Sequence, residues 1–110
     1  MGWFRSSKSN CRQSALTSTE LMVERVEQLE KRPFHELWEL PSEANEEFFC
    51  SDGRTILAVW KDVLSPTELR IVVQAYQPRI LSMGPMQAVG FRITPQEIKE
   101  LEEEELAQFL

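Results

Sequence analysis

Cys50, His35 and Asp52 are the residues of this chain whose types come nearest to catalytic machinery. A cysteine nucleophile needs a deprotonated sulfur beside a base, with a third group to orient that base. Cys50, however, closes the apolar stretch EFFC next to an Asp-Gly pair, where a thiol is expected to be buried and inert. His35 is the one histidine, and HELWE lacks the second histidine of a zinc-protease helix. A zinc site would have to be assembled from His35, Cys50 and carboxylates, so a helix-surface histidine beside Glu36 and Glu39 is the expected role. Paired acids occur at Glu46-Glu47 and over Glu102 to Glu105. Acid–base catalysis needs two acids in one pocket with separated pKa values, whereas adjacent glutamates are expected to form a solvated surface. GPMQAVG, from Gly84 to Gly90, has neither the GxGxxG spacing nor the Lys-Ser/Thr ending of a phosphate loop. The expectation is therefore no catalytic residue, no cofactor and no metal site, and a protein that is not an enzyme.

The first residues raise a different chemistry. Gly2 and Ser6 fit the short M-G-x-x-x-[ST] acylation pattern, with Cys11 and three bases nearby, but bulky Trp3 beside the glycine suits an acyltransferase pocket poorly. Trp3 and Phe4, next to Arg5 and Lys8, are the candidate membrane contacts, through a patch too short to bind strongly. Residues 1–17 carry Arg5, Lys8 and Arg12 and no acid, and are expected to be a basic disordered tail. The other nine of the 12 Lys/Arg and all 18 Asp/Glu fall within residues 18–110, which leaves that part at −9 against +3 for the tail.

An acidic body without a basic patch argues against direct nucleic-acid binding. The longest apolar run, ILAVW at 56–60, is far short of the roughly 20 residues of a membrane-spanning helix, and no signal peptide is expected. Two cysteines without CxxC spacing point to a reducing compartment, so the protein is expected in the cytoplasm. A chain of 110 residues with 42% apolar residues, six Phe and three Trp is expected to fold as one domain over residues 18–110.

The elements follow from local signals. Thr17 and Glu20 form a capping box, so a helix is expected from Ser18 to about Lys31, with Leu21, Met22, Val23, Val26 and Leu29 on its apolar side. Pro33 opens a short second helix with Phe34, Leu37 and Trp38 on one face, closed by Pro41. Asp52-Gly53 predicts a type I′ hairpin between strands at 46–51 and 54–61, with Phe49 opposite Ile56 and Phe48 opposite Leu57. A third strand is expected at 68–76, where Leu69, Ile71, Val73 and Ala75 alternate with Arg70, Val72, Gln74 and Tyr76. MGPM reads as a Gly-Pro loop before a fourth strand, QAVGFRIT, with Val89, Phe91 and Ile93 inward and Gly90 as a bulge. Thr94, Pro95 and Glu97 repeat the helix-start pattern, and predict an acidic C-terminal helix that breaks near Leu101 and restarts as EEEELAQFL.

The fold class is thus α+β: an N-terminal amphipathic helix, a short second helix, a four-stranded antiparallel meander and an acidic C-terminal helix. Ile56, Ala58 and Trp60 face one side of the sheet while Leu57 and Val59 face the other, so both faces are apolar and a second cover is required, from helices or from a partner. Trp60 and Tyr76 of the sheet, and Met83 and Met86 around the Gly-Pro pair, are the candidate interaction residues. The expected function is a small interaction protein that binds a protein partner or itself as a homo-oligomer. An acidic immunity-type inhibitor of a basic partner is the alternative that the −9 body suggests.

Overall fold

The computed structural model describes residues 12–78 and 83–109. Helix α1 (Ser18–Glu30) starts where its capping box places it: the Thr17 hydroxyl accepts from the Glu20 amide, and the Glu20 carboxylate accepts from the Thr17 amide. Leu21, Met22, Val26 and Leu29 are buried, whereas Val23 lies off the stripe and is exposed. Helix α2 (Phe34–Trp38) follows Pro33, buries Leu37 and sets the Phe34 and Trp38 rings 5.8 Å apart.

Among the described residues the sheet has six strands in chain order: β1 (Arg12–Gln13), β2 (Glu43–Cys50), β3 (Gly53–Ser65), β4 (Glu68–Pro78), β5 (Met83–Ile93) and β6 (Ile98–Glu100). Strand β1 lies parallel to β2, and β2 to β6 form a five-stranded antiparallel meander. α+β therefore holds, with the four-stranded expectation corrected at both ends. At the inner end of the expected tail, Ser14 N–H donates to the Phe49 carbonyl, Leu16 O accepts from Ser51 N–H, and Leu16 packs on the core. Residues 1–11, with Trp3, Phe4 and Cys11, lie outside the described residues.

The other correction is the C-terminal helix. Thr94 Oγ1 accepts from the Gln96 and Glu97 amides, as a helix cap would, but Thr94 N–H also donates to the Glu97 carbonyl and closes a turn. Ile98 then pairs with Ile93, so the chain returns as β6. Only after Glu102 does the acidic run form a helix, α3 (Glu103–Leu106), continued by a 3-10 turn over Ala107–Phe109. Strand β6 reaches only Phe91–Ile93 of β5. The MGPM segment is likewise strand and not loop: Met83 pairs with Pro78 and Met86 with Tyr76, and the register shift between them absorbs Gly84-Pro85 as a bulge. Gly90 is no bulge, since it pairs in register with Val72.

The β2–β3 loop is Ser51-Asp52, flanked by the Cys50–Gly53 pair, and Gly53 alone takes a positive φ, of 128°. A type I′ turn would require Asp52 to adopt a positive φ as well. Asp52 is instead held by α1: its two carboxylate oxygens accept from Ser18 N–H at 3.0 Å and from Ser18 Oγ–H at 2.9 Å. Phe49 therefore opposes Arg54 and Phe48 opposes Thr55, a slip of two residues on β3. Because side chains alternate with a period of two, that slip leaves every side chain on its expected face.

One face packs against both helices. Phe48, Leu57, Val59, Leu69, Ile71, Val73, Ala75, Phe91 and Ile93 meet Leu21, Met22, Val26, Leu29 and Leu37 in one cluster, and Cys50 belongs to it. At its border, Glu30 of α1 stands near Glu100 of β6. Burial first, then the charges of Glu100 and Glu27, raise the Glu30 carboxyl pKa above its ordinary 4.5. A raised acid is stabilised when protonated: that contribution is complete below pH 4.5 and is lost as pH rises through the raised value. Glu30→Gln is therefore expected to raise Tm at pH 7 by about 1–2 °C, corresponding to a few tenths of a kcal/mol at a solvent-screened site. The gain should vanish near pH 3.5 in thermal melts, and an equal gain at both pH values would remove this account.

Candidate functional site

The second face of the sheet carries the residues that alternate with the core. Its rows, read across β3, β4 and β5, are Ile56–Tyr76–Met86, Ala58–Gln74–Ala88, Trp60–Val72–Gly90 and Asp62–Arg70–Arg92. Two-residue alternation puts them on one side, and antiparallel register sets them side by side. The chain after β6 folds over the last two rows. Leu101 N–H donates to the Gly90 carbonyl at 3.0 Å, and a Leu101 methyl comes to rest above Gly90. Further on, Glu105 meets both arginines and the Phe109 ring lies over the Arg70 guanidinium, 5.2 Å from its carbon to the ring centre.

The ion cluster beneath this cover is convergent. Arg70 Nε and Nη2 donate to Asp62 Oδ2 at 3.0 and 2.6 Å, and its Nη1 donates to Glu105 Oε2 at 3.0 Å. Arg92 Nε and Nη2 donate to the same Glu105 oxygen at 3.2 and 2.8 Å. The Asp62 hydrogen bond is the largest influence raising the Arg70 pKa; burial opposes it, and Glu105 adds to it. At Glu105 burial favours the neutral acid, but the hydrogen bonds and charges of Arg92 and Arg70 outweigh it and hold the carboxyl below 4.5. An open groove of about 480 Å³ runs beside the cluster, lined by Arg70, Arg92, Lys99, Leu101, Glu104 and Glu105 among others.

Gln74 joins the two halves of the face. It is buried, its Oε1 accepts from Trp60 Nε1–H at 3.2 Å, and its Nε2 donates to the Phe109 carbonyl and sits 3.9 Å from Met86 Sδ. Among the described residues the cover is incomplete towards β3 and the hairpin. Ile56, Trp60, Tyr76 and Met86 are half-buried, and Phe49, in the next row towards the hairpin, is 46% exposed. Of the expected interaction residues, Trp60, Tyr76 and Met86 are thus brought onto one face, with Tyr76 and Met86 as cross-strand partners. Met83 contributes a backbone pair with Pro78 at the end of the bulge, and its side chain lies outside the described residues.

His35 is exposed on α2 and Cys50 is buried under the other face, with no hydrogen bond between them. Among the described residues no group of three or more His, Cys, Asp or Glu is placed to hold a metal ion, and no helix is long and apolar enough to cross a membrane. Arg70, Arg92, Gln74 and Glu105 were not expected from sequence. The usable signal was strand register, because two arginines directly opposite one another require a shared counter-ion. The chain matches no protein-family model, no curated protein and no solved structure.

Proposed function

We propose that the protein is a small, non-catalytic cytoplasmic interaction module that meets a protein partner, or a second copy of itself, through the second sheet face. The observation that carries this reading is the incomplete cover: the C-terminal segment lies over the β4 and β5 members of the Arg70 and Val72 rows, while Phe49, Ile56, Trp60, Tyr76 and Met86 stay wholly or partly accessible. Aromatic and methionine side chains on a rigid sheet give large contact area at little cost in lost rotamer freedom. The acidic-inhibitor alternative points elsewhere, to the outer side of α1, where Glu20, Glu24 and Glu27 are exposed.

A photo-crosslinking phenylalanine analogue at position 49, and separately at position 23 on α1, distinguishes them in cells of the native host. A discrete light-dependent adduct from position 49, lost with Tyr76→Glu, is the expected result; an adduct of twice the chain mass would identify self-association. A basic protein captured from position 23 alone would move the reading to the inhibitor, and no adduct from either position would overturn both.

A further inference from the structure

The contact between the C-terminal segment and the sheet is asymmetric. Arg70, Gln74 and Arg92 stand on β4 and β5, two long paired strands of the meander, so their positions are fixed by the ladder. What they hold is a four-residue helix and a 3-10 turn, with no buried residue in either and no side-chain cap on the helix. Segments with few buried contacts open at lower free energy than sheet cores. The attachment rests on two side chains four residues apart: one Glu105 oxygen takes three arginine N–H groups, and Phe109 lies on Arg70 with its carbonyl bonded to Gln74. This is the manner in which a receptor holds a peptide, with a charge-assisted anchor and an aromatic one.

Charge in the adjoining groove changes with the segment. While it is seated, Glu102, Glu104 and Glu105 offset Arg70, Arg92 and Lys99, and an incoming acid is repelled. Once residues 103–109 lift, Glu104 and Glu105 leave with them: Arg70 keeps Asp62 at 2.6 Å, Arg92 keeps only the longer 3.8 Å approach of Glu68, and the carboxylate that bridged the two arginines is gone. We propose that Arg70, Arg92 and Gln74 form a receptor for an acidic peptide turn of a partner protein, with Glu and an aromatic residue four positions apart, and that residues 103–109 occupy it in cis as an autoinhibitory copy of that ligand. The proposal rests on reading this face as a contact surface and names the partner's chemistry; it is tested by variants that leave Phe49 and Tyr76 untouched, so either reading can fail alone.

The probe is a fluorescent synthetic peptide of residues 101–110, LEEEELAQFL, titrated in fluorescence anisotropy against the full chain and against the full chain carrying Glu105→Ala and Phe109→Ala. A receptor that is closed nine-tenths of the time or more binds at least about tenfold more weakly than an open one. The double variant is therefore expected to bind at least about tenfold more tightly than the native chain, and to lose that binding when Arg70→Gln and Arg92→Gln are added or when the peptide's Glu and Phe are replaced by Ala. Equal affinity for native and double-variant chains, or binding indifferent to the arginines, would overturn the proposal. Hydrogen exchange on the native chain gives a readout that does not depend on the variants folding. Excess peptide should speed exchange across 103–109 several-fold and leave β4 unchanged, and no change at saturating peptide would count against displacement. If sedimentation shows that native chains dimerise by exchanging this segment, the receptor belongs to a second copy and the partner assignment falls.

Discussion

Gly90→Ala is expected to destabilise the protein by about 3 kcal/mol or more, at the upper end of what overpacking costs, and to lower the urea midpoint accordingly. A Cβ at position 90 would stand 2.3 Å from the Ile71 carbonyl oxygen and 3.0 Å from Val72 Cα, with a Leu101 methyl at 3.1 Å. The first two are backbone atoms of β4, which is paired on both sides by β3 and β5. No rotamer change moves them, so relief requires opening the ladder in the middle of the sheet. The same methyl would push on Leu101 and loosen the C-terminal segment at its point of attachment. A urea midpoint within error of the native value would show that β4 and β5 yield at this point.

Asp52→Ala is expected to cost about 2–3 kcal/mol, which is large for a loop residue. Ser18 is 4% exposed, and both its amide and its hydroxyl donate to the Asp52 carboxylate. Removing the acceptor leaves two donors at the start of α1 without their charged partner, open to solvent only from the side where exposed Asp52 stood. Asp52→Asn keeps one acceptor oxygen and should retain roughly half of the stability, because a neutral acceptor is the weaker partner. Chemical denaturation of the three proteins gives the ranking, and a cost below that of an ordinary surface substitution in Asp52→Ala would mean that water replaces the carboxylate.

These two residues also mark the limits of reading the sequence. Thr17 and Glu20 were decisive because every partner of that capping box lies within four positions, and the alternation from Leu69 to Ala75 was decisive because all four residues belong to one buried face. Thr94, Pro95 and Glu97 present the same local chemistry, and the Thr94 hydroxyl even accepts from the Gln96 and Glu97 amides as a cap would. What separates a turn from a helix there is the pairing of Ile98 with Ile93, a choice made by the sheet and not by the cap. Asp52 was legible as a turn residue, yet its partner lies 34 positions away and moved the loop by one residue. Strand β1, two residues long, has no pattern to read. At the candidate site, Trp60, Tyr76 and Met86 were accessible to reasoning as large side chains on a sheet that needed a second cover. Gln74 and Glu105 were not, because their roles exist only once the C-terminal segment has come back across Arg70 and Arg92.

Because β6 ends at the level of Phe91, the first half of β5 has no strand on its outer side among the described residues. Such a border invites polymerisation, since one molecule's bare ladder can accept the next molecule's strand. One end of that border is blunted by covalent chemistry: Pro85 has no amide hydrogen, and the register shift around it interrupts a flat ladder. The Gly-Pro pair thus gives the open stretch of this border two of the features, a missing donor and a bulge, that disfavour edge-to-edge pairing.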